Sequence, residues 1–428
     1  MRLPPAVVGY MEEVLREILR FTGPADVTLS RYFRDHPRIG SRERGAIAEG
    51  VYCLLRNKSV YASFSESGSG PAMRRLTLLG LADAMGIDSI GGLSVEEIDW
   101  LNRVMQIDRN TLPVPLRANL PEWLFNKLNG RMGEEEMLKM AESLNRPAPL
   151  DLRVNAMKLT REEVIAELAN APILGEPTRY APLGVRIMKK PALQNLPLFK
   201  NGSIEVQDEG SQLLSQVVGA KRGEMVVDFC AGAGGKTLSL GAAMRNTGRL
   251  YAFDVSEKRL AKLKPRLARS GLSNVHPVLI AHENDAKIKR LAGKIDRVLV
   301  DAPCSGLGTL RRNPDVKWRQ TPEALVELNA KQIAILSGAA RLVKPGGRLV
   351  YATCSLIYQE NQGIVEAFLA NNPHFELKDP KEVLRDSFPM MGDLPIGTTQ
   401  NSSYWQLFPH IHGTDAFFGA ILVRKAAT

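Results

Sequence analysis

At 428 residues, with 44% hydrophobic and 24% charged side chains, the chain has the make-up of a soluble globular protein of two or three domains. Four cysteines with no C-x-x-C pair argue against a disulfide framework or structural zinc, and the six histidines form no ligand spacing, so no metal is expected. The net charge of +10 fits a polyanionic partner such as nucleic acid.

No run approaches the ~18 apolar residues of a membrane span. The opening Met1-Arg2-Leu3-Pro4-Pro5 carries no signal-like apolar core. A cytoplasmic monomer without a membrane partner is the expectation. Residues 1–146 hold 19 Lys+Arg against 19 Asp+Glu, which leaves 37 against 27 in the remainder, so the whole excess is C-terminal.

From the N-terminus, residues 9–21, 41–55, 73–84, 94–104 and 122–128 carry apolar side chains at three- and four-residue spacing, which predicts helices. Breaks fall at Gly23-Pro24, Gly68-Ser69-Gly70-Pro71 and Gly91-Gly92, and Ser94 with Glu97 predicts a capping box. Residues 1–145 therefore read as an all-α domain with no reactive constellation. Around Asn145-Arg146-Pro147-Ala148-Pro149 the pattern changes. Short strands at 150–154, 185–188 and 204–206 around a helix at 160–168 predict a small α+β module over 146–206.

The remainder, 207–428, alternates regularly. Strands at 225–230, 250–255, 275–280, 297–301 and 348–354 are separated by helical stretches that include 256–270 and 322–342, the second closed by Lys344-Pro345-Gly346-Gly347. Such alternation predicts an α/β fold with a doubly wound parallel sheet. Residues 375–377 and 417–423 would add an antiparallel pair at one edge.

The first of these strands runs into Asp228-Phe229-Cys230-Ala231-Gly232-Ala233-Gly234-Gly235-Lys236-Thr237. Glycines at a strand-to-helix turn let the backbone approach a ligand and offer it the helix N-terminus. A P-loop would need glycine where Cys230 stands, and a dinucleotide fingerprint would end on Thr237 instead of Gly or Ala. Asp-x-Cys-x-Gly-x-Gly resembles the first motif of S-adenosylmethionine-dependent methyltransferases. Asp254, at the end of the next strand, is placed for ribose hydroxyls, and Asp285, after the third, for an adenine amino group.

Cys304 and Cys354 each sit where a predicted strand runs out, and in such sheets ligands bind beyond the carboxyl ends. Two thiols beside one cofactor loop point to covalent chemistry at a carbon that is not itself nucleophilic. Residues 287–319 carry nine basic and three acidic side chains. Among them Arg311, Arg312 and Lys317 read as a phosphate-contacting rim, or else as an ordinary solvated loop. Taken alone, Asp301 and Asp254 would read as strand-end turn formers and Lys236 as a solvated helix residue.

Together, 228–237, Asp301-Ala302-Pro303-Cys304-Ser305-Gly306 and Thr353-Cys354-Ser355 resemble the RNA 5-methylcytosine methyltransferases of the RsmB/NSUN family. Val206-Gln207-Asp208-Glu209-Gly210-Ser211 and Asp415-Ala416-Phe417-Phe418-Gly419-Ala420 are similar to family segments that flank the catalytic fold. Gly40-Ser41-Arg42-Glu43-Arg44 and Gly50-Val51-Tyr52 are similar to the NusB-like N-terminal domain of its bacterial RsmB branch. The family loop usually has Ala-Pro where this chain has Gly232-Ala233, a change expected to loosen the loop.

The resemblance implies a Rossmann-like S-adenosylmethionine-dependent methyltransferase domain, with a NusB-like RNA-binding domain at 1–145 and an RNA-positioning module at 146–206. It implies RNA as substrate, with 16S ribosomal RNA favoured through the NusB-like segment and transfer RNA as the alternative. It assigns attack at cytosine C6 to Cys354 and product release to Cys304. Asp301 would meet the N3/N4 edge of the base, held by Lys236. Cofactor contacts would come from Cys230, Ala231, Gly232, Ala233, Gly234, Gly235, Lys236, Asp254, Arg259, Asp285 and Asp301. Two alternatives stay open: a methyltransferase of another class, and a non-catalytic RNA-binding or assembly protein on the same fold.

Overall fold

Apolar residues at helical spacing build the N-terminal part from the helices Ala6–Ile18, Ala25–Asp35, Ser41–Ser65, Ala72–Met85, Val95–Met105, Val114–Ala118, Glu122–Met132 and Glu134–Leu144. The computed structural model describes residues 2–188, 191–387 and 403–426. Its contacts divide it into two units: Met1–Pro147 with Thr309–Pro322, and Ala148–Gly308 with Glu323–Thr428. Among the described residues no helix is long and apolar enough to cross a membrane.

In the helical unit Met11, Leu15, Ile47, Leu54, Leu79 and Leu101 are wholly buried. Truncating such a side chain to Ala costs roughly 2–5 kcal/mol. Small residues set the closest approach: a Cβ on Gly80 would lie 2.7 Å from the Gly50 carbonyl oxygen, so helices Ser41–Ser65 and Ala72–Met85 meet at paired glycines. Ser94 and Glu97 form the predicted capping box.

Helix Ser41–Ser65 is kinked at Asn57 (φ −112°, ψ 19°), which frees carbonyls of the preceding turn. The Leu55 carbonyl accepts from Trp318 Nε1 at 2.8 Å, and the Arg56 carbonyl accepts from Lys317 Nζ at 3.0 Å. Lys317 also donates to the Asn119 carbonyl at 2.8 Å and to Asn145 Oδ1 at 2.7 Å, and it is 1% exposed. Burial, with Arg56 and Lys58 nearby, holds its pKa well below that of a free lysine. Arg311 is buried too, and its carbonyl accepts from Arg56. The reading of Lys317 and Arg311 as an exposed phosphate rim is therefore corrected. Residues 309–322, placed by sequence in the 207–428 domain, group by their contacts with the helical unit.

The second unit holds two sheets. Strands β1 (Leu150–Val154), β2 (Gly175–Pro177), β3 (Gly184–Ile187) and β4 (Ile204–Val206) form an antiparallel sheet in the order β2-β3-β1-β4, with helix Arg161–Asn170 capped by Thr160. The larger sheet comprises β5 (Met225–Asp228), β6 (Arg249–Asp254), β7 (Val275–Leu279), β8 (Ile295–Asp301), β9 (Val343–Thr353), β10 (Phe375–Lys378), β11 (Trp405–Leu407) and β12 (Phe417–Arg424). Its order is β10-β12-β9-β8-β5-β6-β7, with β11 pairing β12. Strands β5 to β9 are parallel, while β12 runs antiparallel to β9 and β10. The Lys344-Pro345-Gly346-Gly347 stop lies inside β9, where Gly346 takes φ +74° and the β8–β9 register shifts.

Paired charges fasten the small sheet to the large one. Glu205 on β4 is 5% exposed and takes Arg266 at 2.8 Å and Arg269 at 2.6 Å from helix Glu257–Ser270. Arg153 on β1 donates to the Gly235 carbonyl at 2.8 Å and also to Gln207. A buried carboxylate is tolerated only with such partners, so losing both arginines would leave Glu205 a buried, uncompensated charge.

Candidate active site

Parallel strands deliver their carboxyl ends to one edge, and the order reverses between β5 and β8, where open α/β sheets bind ligands. Past β5, the backbone turns through Gly232 (φ +57°) and Gly234 (φ +85°) into helix Gly235–Ala243. A Cβ on Gly234 would lie 2.1 Å from Leu263, whereas one on Gly232 would meet open space. Gly234 is thus required by packing, and Gly232 by its left-handed backbone. Ala233 accepts from Arg266 at 2.6 Å, and Ala231 donates to the Phe253 carbonyl.

Asp254 is nearly fully buried. Its Oδ2 accepts from the Gly232 N–H at 2.8 Å, and its Oδ1 accepts from Ser256 N at 2.7 Å and pairs with Arg259 at 3.1 Å. Arg259 itself is half exposed. Asp285 caps the short helix Ala286–Lys289, accepting from Lys287 N and Ala281 N at 2.9 Å each, and these bonds lower its pKa. Asp228 takes Thr237 Oγ1 on Oδ2 at 2.6 Å, while its Oδ1 has no hydrogen-bond partner among the described residues. Burial raises the Asp228 pKa to about 7. Burial also pushes the Cys230 thiol well up, with help from the carboxylates of Asp228, Asp301 and Asp254.

Strands β8 and β9 pair Asp301 with Ala352, so the turns that follow emerge side by side. Cys304 Sγ and Cys354 Sγ lie 3.5 Å apart, both as free thiols. Their turns are stitched by Gly308 N to the Cys354 carbonyl at 2.9 Å. A Cβ on Gly308 would come within 2.4 Å of the Ala416 carbonyl oxygen. The contact with Cys354, then burial, raises the Cys304 pKa well above that of a free thiol.

Lys236 Nζ donates to Asp301 Oδ2 at 2.7 Å and lies 5.6 Å from the centre of the Phe417 ring. Burial opposes its charge, but Asp301 and the sulfur of Cys354 outweigh it, and the net shift is upward.

The structure thus brings Cys304, Cys354, Asp301 and Lys236 together, and groups Cys230 to Gly235 with Asp254 and Arg259. Three participants escaped the sequence reading. Phe417 backs Lys236 from β12, and Gln332 and Glu360 reach the thiol turns from more distant segments. Phe417 lies in the family-like segment 415–420 but was given no role there, and Gln332 and Glu360 fall outside the motifs singled out in the sequence.

An open backbone cradle at Gly232 and a buried, unpartnered carboxylate oxygen on Asp228 suit a ligand carrying positive charge. S-adenosylmethionine, with its sulfonium and ammonium, is such a ligand.

Residues 215–423 match the family described as 16S rRNA methyltransferase RsmB/F, and residues 120–194 match its ferredoxin-like domain. The chain is 31% identical to the probable ribosomal RNA small subunit methyltransferase B of Synechocystis, over 96% of this chain and 98% of that protein. It is 34% identical to the Bacillus subtilis protein of the same name, over 71% and 66%. A crystal structure of a methyltransferase homologue from Pyrococcus horikoshii superposes with a TM-score of 0.62 at 27% identity, over 74% of this chain and 100% of that one. The chain belongs to the RsmB/F family of S-adenosylmethionine-dependent RNA methyltransferases.

Proposed function

We propose that this protein methylates C5 of a cytosine in small-subunit ribosomal RNA by covalent catalysis. The observation that carries the reading is the pair of free thiols 3.5 Å apart at neighbouring strand ends, beside the Lys236–Asp301 pair. The choice of ribosomal RNA rests on the names of the relatives.

Cytosine C5 is too electron-poor to accept a methyl group unaided. The Cys354 thiolate adds to C6, and the electron pair of the C5–C6 bond becomes available at C5. S-adenosylmethionine, when bound, supplies the methyl group. Asp301 holds the N3/N4 edge and favours N3 protonation as the adduct forms. Lys236 keeps Asp301 in place and offsets negative charge at Cys354. After transfer, the C5 proton passes to solvent, the electron pair of the C5–H bond re-forms the C5–C6 double bond, and the Cys354 sulfur departs as thiolate, with Cys304 assisting that release.

The loop at 230–235, with Lys236, Asp254, Arg259, Asp285 and Asp301, holds the cofactor. The helical domain at 1–145 and the module at 146–206 position the RNA. Incubation with labelled S-adenosylmethionine and small-subunit RNA lacking the modification tests the reading. Digestion should place the label in 5-methylcytidine; label in another nucleoside, or none, would overturn it.

A further inference from the structure

Ser305 and Ser355 each directly follow one of the paired cysteines, and both hydroxyls reach the same side chain. Glu360, in the turn Tyr358–Glu360, is wholly buried. Its Oε2 accepts from Ser305 Oγ at 2.5 Å and from Ser355 Oγ. Its Oε1 accepts from the Ser305 N–H at 2.7 Å and from Gln332 Nε2 at 3.1 Å. Gln332 also donates to the carbonyl of Pro303, the residue before Cys304, at 2.9 Å.

Glu360 is itself held from β9, where Tyr351 donates to its carbonyl at 2.7 Å. Its neighbour Asn361 accepts from Thr353 and donates to the Ser355 carbonyl at 2.9 Å, gripping the backbone on both sides of Cys354. One carboxylate with its clasp thus refers both thiol turns to a common point.

A buried carboxylate is a costly way to fill a core, since apolar residues of similar volume are often as stabilising or more so. It is better suited to holding two turns in register. Its two oxygens accept from four donors at once, two of them on Ser305, and so tie together turns fifty residues apart in sequence. Electrostatics agrees, because after the Cys354 contact and burial the Glu360 charge helps keep the Cys304 thiol protonated.

We infer that Glu360 is a positioning residue that sets the spacing of the Cys304 and Cys354 thiols, and through it the ability of Cys304 to release the product held on Cys354. The inference rests on the covalent mechanism proposed above.

Glu360→Gln keeps the size but puts an amide donor where an oxygen accepted hydrogen bonds. The variant should bind S-adenosylmethionine as the parent does, with KM for RNA little changed. Its kcat should fall about tenfold or more, and a covalent protein–RNA complex should accumulate. Without RNA, iodoacetamide labelling followed by mass spectrometry should show the Cys304 pH profile moving down, with faster labelling at a fixed pH below its pKa.

Parental kcat with parental thiol profiles would overturn the inference. So would a partly unfolded variant whose folded fraction turns over at the parental kcat without accumulating adduct. If Glu360→Gln does not fold, the double variant Ser305→Ala/Ser355→Ala decides: low kcat with accumulated adduct supports the role, and parental turnover refutes it. The covalent mechanism is judged separately. Turnover surviving in Cys354→Ala would sink that mechanism, whereas a dead Cys354→Ala beside a parental Glu360→Gln would sink only the role of Glu360.

Discussion

Lys317 donates to the Arg56 carbonyl across 3.0 Å, filling the gap that the Asn57 kink opens in helix Ser41–Ser65. Two further acceptors, the Asn119 carbonyl and Asn145 Oδ1, complete a set matched to the three N–H groups of an ammonium. Lys317→Met keeps the stem and leaves these acceptors short of donors, which should cost about 2–4 kcal/mol. Thermal unfolding should show the loss. The salt dependence of RNA binding should keep its slope, whereas loss of a phosphate contact would reduce that slope by about 1. Unchanged melting with a shallower slope would restore the exposed-rim reading.

Asp228 makes stability depend on pH. Its pKa of about 7 in the folded chain lies above its ordinary value of 3.8, so the folded state holds a proton that the unfolded state has lost. The stability this contributes is complete below about pH 4 and is lost as pH rises through about 7. Asp228→Asn cannot ionise and still accepts from Thr237. Relative to it, the parent should lose about 1.4 kcal/mol per pH unit across that window. Denaturant unfolding from pH 5 to 8, without cofactor, measures this. Parallel profiles for the two proteins would contradict it.

Asp254 and Arg259 form a pair whose members should differ greatly in effect. Asp254→Ala removes the acceptor for the Gly232 N–H along with the proposed ribose contact, and should weaken S-adenosylmethionine binding by about 1.5–3 kcal/mol. Arg259 is half exposed, so Arg259→Ala should cost under about 1 kcal/mol through its ion pair. Titration calorimetry distinguishes them, and unchanged affinity in Asp254→Ala would remove that residue from the site.

Most of the parallel strands were legible because apolar runs end in turns, and that same pattern put both cysteines at the sheet's carboxyl edge. The charge of Lys317 misled, because composition counts an ammonium without saying which carbonyls surround it. Residues Trp405 to Leu407 pair β12 over only three positions, too few for alternation to register. Helix Ala25–Asp35 buries only Ala25, Leu29 and Tyr32, too sparse a stripe to read. Glu360 was invisible because its role depends on donors from Ser305 and Gln332, which only the folded chain brings near. The glycine in the cofactor loop, expected to loosen it, takes the left-handed conformation glycine favours. The loop is fastened there by Gly232 to Asp254 and by Arg266 to Ala233.

The two thiols provide the most direct test of the proposed chemistry, because their variants should differ in kind. Cys354→Ala cannot form the C6 adduct, so it should lose turnover and fail to trap RNA containing 5-fluorocytosine. Cys304→Ala should still attack but fail to let go, accumulating a covalent complex on ordinary cytosine RNA. On a denaturing gel, a shifted protein–RNA band is predicted for Cys304→Ala and none for Cys354→Ala. The reverse pattern would exchange the two roles, and no band from either variant would contradict the covalent mechanism.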